Sequence, residues 1–376
     1  MTLSNKQLAG QFRHRRKKVI KLAQNEKDLD AMLVSDAIGV RYLTGFSDSG
    51  ATVLFDGAKA ILITTLMFKD RAPAECPGTD IFITDKSLPS AVSQLMKANG
   101  HKKIGLQKEL TNLKAYEALA SSISKKRIAL SSAVVMACRA VKDEEEIRLV
   151  QKAVTIAEKA FRSLMNEGAR FFIGKTEKQL SAELSYRMQY LGADRQSFPH
   201  GIIVGSGSNS AGAHHVPTDR KVRKNEPVLF DFGALVGGYC SDITRVVFTG
   251  KKIDPQLRDI YHLVKEAHSL AIKAIKPRRK ASAIDKIARD HIMQGGYKEE
   301  FRHGLGHAIG MEVHEAVRFN QTDHTVLRKH MIMTVEPGVY IKGFAGVRLE
   351  DDVLVTADGC RSLNKLSCHL EKFILT

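Results

Sequence analysis

Two strand–turn–strand segments in the second half of the chain each carry a pair of acids inside otherwise apolar strands, and few folds can accommodate that. The first is PVLFDFGALVGGYCSDITR, residues 227–245, with Asp231 and Asp242. Opposed residues in an antiparallel pair share a constant index sum. A turn centred on Val236-Gly237 gives the sum 473, which Asp231 and Asp242 share. Their Cβ atoms are then expected about 5 Å apart on one face. The second segment is TVEPGVYIKGFAGVRLE, residues 334–350, with Glu336 and Glu350 opposed about a turn centred on Gly343, and Arg348 on the face of Glu350.

The neighbours of these acids are Val, Leu, Ile, Phe and Tyr, so the strands read as buried, and a buried carboxylate without compensation is costly. Either a carboxyl of each pair is protonated or a cation sits between them. Between the two segments lies HGLGHAIGMEVHE, residues 303–315, with His303, His307 and His314 within twelve residues. One imidazole and four carboxylates make a mostly hard oxygen donor set, suited to Mn²⁺ or another divalent first-row ion, and carboxylates can bridge two ions. Magnesium and calcium sites rarely include histidine, and the HExxH spacing of zinc peptidases is absent. Upstream, residues 206–218 read as a polar loop leading to a histidine pair, His214-His215.

The remainder of the 376 residues sets the frame. This length favours two domains. Residues 5–25 read as an amphipathic helix. Strands follow at 31–35, 51–55, 58–64, 80–84 and 103–107, and helices at 88–99 and 111–123, an alternation that predicts an α/β unit with a partly parallel sheet ending near residue 140. Asp143 and Glu144 to Glu146 open a long helix, where acids complement the positive end of the dipole. Thr176 and Gln179 resemble a capping box, and two more helices fit 255–275 and 281–294. With strand-rich stretches at 201–205, 227–249, 330–342 and 346–356, the second domain reads as α+β. The expected division is 1–140 and 141–376.

Bulk properties exclude several classes. No apolar run approaches the ~20 residues of a membrane span, and the polar N-terminus lacks the pattern of a signal peptide. Five widely spaced cysteines read as reduced thiols, which predicts a cytoplasmic protein. The formal charge is +17, with 22 basic against 12 acidic residues in positions 1–140. The densest run, Arg13, Arg15, Arg16, Lys17 and Lys18, carries Leu8, Phe12, Val19 and Leu22 at helical spacing, so it reads as a solvated helix face with one apolar stripe. The absence of Trp, the few aromatic residues and the lack of a recognisable module argue against a nucleic-acid partner despite the charge.

Taken in order, DFGA…GGYCSDITR, HGLGHAIGMEVHE, TVEPGVY and VRLED resemble the creatinase/prolidase/aminopeptidase P, or pita-bread, metallopeptidases. VRYLTGF at 40–46 resembles the N-terminal domain of the Xaa-Pro peptidase branch. The resemblance implies a creatinase-like α/β N-terminal domain before an α+β pita-bread catalytic domain. It implies metal ligands Asp231, Asp242, His307, Glu336 and Glu350, with Asp242 and Glu350 bridging two divalent ions: manganese first, with cobalt, zinc or iron as substitutes. Glu336, His214, His314, His303 and Arg348 become catalytic candidates, with Thr244 and Tyr239 as supporting groups. The implied activity is hydrolysis of Xaa-Pro bonds in a peptide with proline at the second position, by an aminopeptidase or dipeptidase acting as a homodimer. Two other readings share the fold: hydrolysis of a small C–N substrate on the same metals, and a non-catalytic module for acidic partners.

Overall fold

Ser4 opens helix α1 (Asn5–Glu26) through a capping box with Gln7. Phe12 and Val19 of the expected stripe face inward together with Ile20 and Ala23, while Leu8 and Leu22 are half-buried, and the basic run is not uniformly solvated. Arg15 and Arg16 are buried. Arg15 donates to Tyr42 O, and Arg16 donates to Leu43 O and Gly78 O. At Tyr42 and Leu43 these guanidiniums answer carbonyls that the end of a short helix leaves without intrahelical donors, which corrects the expectation of a solvated face at both positions. Burial comes first among the causes that lower Arg16 to about 10.

The computed structural model describes residues 3–376, which fall into two compact units, one ending at Arg139 and one spanning Ala140–Thr376. After α1 the first unit runs β1 (Ala31–Val34), α2 (Ala37–Thr44), β2 (Ala51–Phe55), β3 (Ala60–Thr64), α3 (Arg71–Glu75), β4 (Asp80–Ile83), α4 (Leu88–Ala98), β5 (Ile104–Gln107), α5 (Leu113–Ile123), β6 (Ile128–Ser131) and α6 (Val134–Arg139). Its single sheet has the order β4-β3-β2-β1-β5-β6, antiparallel through β3-β2-β1 and parallel elsewhere. Leu33, Ile63 and Leu106 pack with Val92 and Leu95 of α4 and Leu119 of α5. The sequence reading missed α2, α3, β6 and α6. Helix α2 is only 8 residues long, held by Asp36 as N-cap and by Gly45 at φ 93°, too short for periodicity to reveal.

The second unit starts with α7 (Glu144–Met165), whose N-cap Asp143 forms a capping box with Glu146, so the acidic run serves the helix end. There follow α8 (Ala169–Phe172), α9 (Glu177–Tyr190), β7 (Arg195–Gln196), β8 (Ile203–Ser206), β9 (Pro227–Phe232), β10 (Ala234–Val236), β11 (Tyr239–Cys240) and β12 (Ile243–Phe248). Then come α10 (Pro255–Ala274), α11 (Ala281–Gln294), β13 (Gly306–His307), β14 (Arg318–Phe319), β15 (Ile332–Val335), β16 (Gly338–Ile341), β17 (Ala345–Arg348), β18 (Asp351–Val355) and β19 (Cys360–Ser362). Helices α10 and α11 share a core with the strands: Tyr261, Val264 and Ile284 pack with Leu229, Val246, Val347 and Val353.

The two hairpins differ in how they meet expectation. In the second, Ile332↔Leu354 through Val335↔Asp351 and Gly338↔Arg348 through Ile341↔Ala345 keep the index sum that pairs Glu336 with Glu350, about Gly343 at φ 79°. In the first, Thr244 faces Asp231 and Val236 faces Tyr239. The turn therefore falls on Gly237-Gly238, both at positive φ, and Asp242 is shifted two positions from the expected place opposite Asp231. Only glycine takes such angles without strain. A shift of two preserves the face, so the acids are diagonal neighbours rather than directly opposed.

Candidate metal centre

Strand alternation aims Asp231. On β9, Phe230 and Phe232 pack on Phe161 of α7, with ring centroids 5.4 and 4.7 Å away, so Asp231 between them must face the other side. Asp242 precedes β12, and its amide donates to Asp352 Oδ2 at 3.0 Å. Glu350 lies against β12, its N–H donating to Thr244 O at 3.2 Å and its Oε2 accepting from Thr244 Oγ1 at 2.6 Å. His307, on β13, has Nε2 at 3.3 Å from Glu336 Oε1 and 3.7 Å from Asp242 Oδ2. A Cβ at Gly306 would meet Thr334 O at 2.1 Å, so only glycine lets the His307 strand lie this close to β15. One donor atom from each of Asp242, His307 and Glu350 lies within 4.8 Å of the others.

Charge decides what this cluster wants. Asp231, Asp242 and Glu350 are buried, and the guanidinium of Arg348 is the cation that reaches Asp231, at 2.5 Å, and approaches Glu336 at 4.0 Å. Four carboxylates against one guanidinium leave a deficit of three positive charges when all are ionised. Burial, followed by repulsion from Glu350, Asp231 and Glu336, pushes Asp242 well above its ordinary range. Burial and repulsion from Glu336 and Asp231 do the same to Glu350, and burial raises Asp231 against the pull of Arg348. Burial also opposes ionisation of Glu336, but the hydrogen bond from the facing His307 imidazole and the charge of Arg348 are among the causes that outweigh it and hold that carboxyl at about 2. Asp231 Oδ1, Asp242 Oδ1 and Glu350 Oε1 are buried without a hydrogen-bond donor. Buried acceptors are seldom left so, and those of Asp242 and Glu350, on residues that gather with the His307 imidazole, fit a divalent cation.

Metallopeptidase family M24 matches residues 148–357, and the creatinase/prolidase N-terminal domain matches residues 15–141. The chain belongs to metallopeptidase family M24. A curated Xaa-Pro dipeptidase of Pyrococcus horikoshii is 34% identical to this M24 chain over 360 residues, covering 94% of it and 97% of the relative. The solved structure of an Xaa-Pro dipeptidase from Bacillus anthracis superposes with a TM-score of 0.90 at 32% identity, covering 96% of this chain and all of that one. An X-Pro aminopeptidase from Thermotoga maritima gives 0.87 at 29% identity, covering 94% and all of the two chains respectively. The M24 protein is thus a metallopeptidase whose pita-bread unit follows a creatinase-type N-terminal domain in the sequence, and its family works with divalent metal ions.

Around the M24 carboxylates, Arg348 organises the wall. Its Nη2 donates to Asp231 Oδ2, Nε to Thr244 Oγ1 at 2.9 Å, and Nη1 to Tyr340 Oη at 2.8 Å and Ala213 O at 3.1 Å. Thr244 passes this on by donating to Glu350. Tyr340 Oη lies 2.9 Å from His303 Nε2, while His303 Nδ1 lies 2.7 Å from Gly304 O. Burial lowers His303, so the ring is neutral, donates from Nδ1 and accepts from the tyrosine. His303 therefore braces Tyr340, and its donor atoms are not in the group formed by Asp242, His307 and Glu350. The His314 ring meets His307 edge to face at 4.3 Å, and burial plus the His307 and Arg318 charges lower it to about 4. His214 is exposed, one residue after the carbonyl that Arg348 holds. The Tyr239 hydroxyl donates to Glu146 at 3.1 Å.

Sequence reasoning missed Asp352, Tyr340 and the buried Lys142–Glu315 pair. Lys142 Nζ lies 2.9 Å from Glu315 Oε2, and Glu315 Oε1 accepts from Met311 N–H, which fixes the turn carrying His314. The partners are far apart in sequence, and no local spacing signals them.

A second trio, His268, Asp351 and Cys368, also gathers its donor atoms within 4.8 Å. Here charge argues against a metal. The fully buried Arg245 donates to Asp351 Oδ1 at 2.7 Å, and burial raises Cys368 to about 11, so the thiol stays protonated. One carboxylate already has its cation, and the trio is part of an ion-pair network. Among the described residues no helix is long and apolar enough to cross a membrane.

Proposed function

We propose that this chain hydrolyses Xaa-Pro peptide bonds with two divalent ions, which Asp231, Asp242, His307, Glu336 and Glu350 would hold. The observation that carries this reading is the gathering of donor atoms from Asp242, His307 and Glu350 within 4.8 Å of one another, where both carboxylates keep a buried oxygen without a hydrogen-bond donor, as Asp231 does. The named activities of the relatives support the choice of substrate. Bound there, the ions would supply Lewis acidity, making a water more acidic and the scissile carbonyl more electrophilic.

The chain's own groups do the rest. Glu336 is ionised over the physiological range, so it can take a proton from the attacking water and return it to the leaving nitrogen. His314, neutral above about 4, and the exposed His214 are donors for the substrate carbonyl as negative charge grows on it. Arg348 and Thr244 hold Asp231 and Glu350 in orientation, as outer partners of metal ligands do. The same reading takes manganese as the ion, in keeping with the carboxylate-rich donor set. It takes the cytoplasm as the compartment, in keeping with five free cysteines, and a homodimer as the commonest assembly.

Metal analysis and product detection by mass spectrometry test it, using Mn²⁺-loaded protein with Ala-Pro, Ala-Pro-Ala and Ala-Ala-Ala. Two equivalents of metal and cleavage confined to Ala-Pro establish a dipeptidase. Cleavage of the Ala-Pro bond in the tripeptide establishes an aminopeptidase. Bound metal with no peptide cleaved overturns the reading and points to a small C–N substrate.

A further inference from the structure

Glu177 is the first residue of α9, and its side chain is fully enclosed. Its carboxylate receives six hydrogen bonds, all from one loop. Oε1 accepts from Ser206 N–H at 2.8 Å, Ser206 Oγ at 2.8 Å and Asn209 Nδ2 at 3.0 Å. Oε2 accepts from His215 Nε2 at 2.8 Å, Thr218 N–H at 3.0 Å and Thr218 Oγ1 at 2.7 Å. Burial alone would favour the neutral acid, but this set of donors, led by His215, reverses the balance and holds the carboxyl at about 2. An ionised, enclosed carboxylate with every lone pair used is a rigid anchor.

The anchored loop is the one that carries His214. Its start is fixed a second time, because Ser206 Oγ accepts from Arg220 Nη1 at 2.6 Å and Arg220 is held by Glu226 through two bonds of 2.7 Å. Its middle reaches the metal-centre wall, with Ser210 Oγ accepting from Gly346 N–H at 2.8 Å and Ala213 O from Arg348. His214 thus sits between a carbonyl tied to Arg348 and an imidazole, His215, tied to Glu177. The His214 ring is exposed, so its direction depends on the backbone held at both sides.

We propose that Glu177, acting through His215, is a positioning residue that sets His214 for the substrate. This rests on the peptidase reading, and it assigns to Glu177 a role in catalysis without contact with substrate or metal. A displacement of about 1 Å in such a group costs up to about 100-fold in rate.

The test is a double-mutant cycle on the Mn²⁺-loaded full chain, measuring kcat and KM on Ala-Pro and Ala-Pro-Ala, with metal content and hydrogen exchange of the 206–218 amides. Variants are Glu177→Gln, His215→Gln, His214→Ala and each double with His214→Ala. His215→Gln removes only the imidazole arm and serves if Glu177→Gln fails to fold. The expected result is a loss of about 10- to 100-fold in kcat/KM for Glu177→Gln and His215→Gln, but less than about twofold when His214 is already alanine, because coupled sites are not additive. Metal content stays at wild type, and exchange accelerates in 206–218 alone. Full multiplicative losses, or unaltered kinetics in His215→Gln, overturn the proposal. If the wild-type protein binds metal but cleaves no peptide, the peptidase reading fails instead. Exchange then decides separately whether Glu177 anchors the loop: unchanged protection in both variants rejects the anchor as well.

Discussion

Arg348 Nη2 lies 2.5 Å from Asp231 Oδ2, and the same guanidinium binds Thr244, Tyr340 and Ala213 O in other directions. A planar fork can serve these partners together, and an ammonium cannot. Arg348→Met leaves an unpaired buried carboxylate and is expected to cost about 3–5 kcal/mol, read from urea midpoints. Arg348→Lys keeps the charge and should fall between Met and wild type. Equal stability of Lys and Arg would show that only the charge matters, not the fork.

Thr244 links Arg348 to Glu350, accepting from one and donating to the other at 2.6 Å. Thr244→Val has nearly the same shape but removes both bonds within a buried strand. The expected effect is a loss of about 10- to 100-fold in metal affinity or peptidase rate, with the circular dichroism of the fold retained. Metal titration followed by calorimetry measures it, and wild-type affinity with wild-type rate would remove Thr244 from the supporting set.

The glutamate pair was legible because the same index sum holds in the ladder Ile332↔Leu354 to Val335↔Asp351 and in the ladder Gly338↔Arg348 to Ile341↔Ala345, so counting from Gly343 reaches Glu336 and Glu350 in the gap between them. The aspartate pair was legible only by face. Two adjacent glycines made the turn movable, and the chain places it on Gly237-Gly238, so Thr244 takes the position that counting gave to Asp242. Thr176 and Gln179 were visible as a cap, but Glu177 between them was not. Its partners lie 29 to 41 residues away, and a glutamate in a first helical turn is explained by the dipole alone. Arg15 and Arg16 show the same limit: a basic run on an amphipathic helix gives no sign that two members answer carbonyls 27 residues on.

Asp242 is pushed up by burial and by Glu350, Asp231 and Glu336, so in the absence of metal its charge works against the fold. Asp242→Asn should therefore melt above wild type in chelator. A gain of 1 kcal/mol corresponds to about 2–4 °C for a unit of this size. Adding Mn²⁺ should reverse the order, because wild type gains about 2.7 kcal/mol at a hundredfold excess over the dissociation constant and the variant gains little. Scanning calorimetry with and without metal reads both effects. A metal-free variant less stable than wild type would show that the carboxylates compensate one another by some route other than a cation.

His268 supplies a stability term of the opposite kind. Its ring is buried, Nε2 has no hydrogen-bond partner, and Asp351, Arg245 and Cys368 lie around it. Burial lowers the imidazole to about 4 despite the pull of Asp351, and Arg245 adds to the lowering. An unfolded chain binds a proton at this position near the ordinary value of about 6.5, while the folded chain does not until about 4. Protons between those values therefore favour unfolding, so the contribution is intact above about pH 6.5 and lost as pH falls to about 4. The shift corresponds to a loss on the order of 3 kcal/mol. His268→Gln cannot take up this proton. In chelator, the stability advantage of wild type over His268→Gln should shrink by that amount between pH 7 and pH 4, as read from urea midpoints at each pH. A constant difference across the window would mean that the folded ring already binds its proton at the ordinary pH, through Asp351.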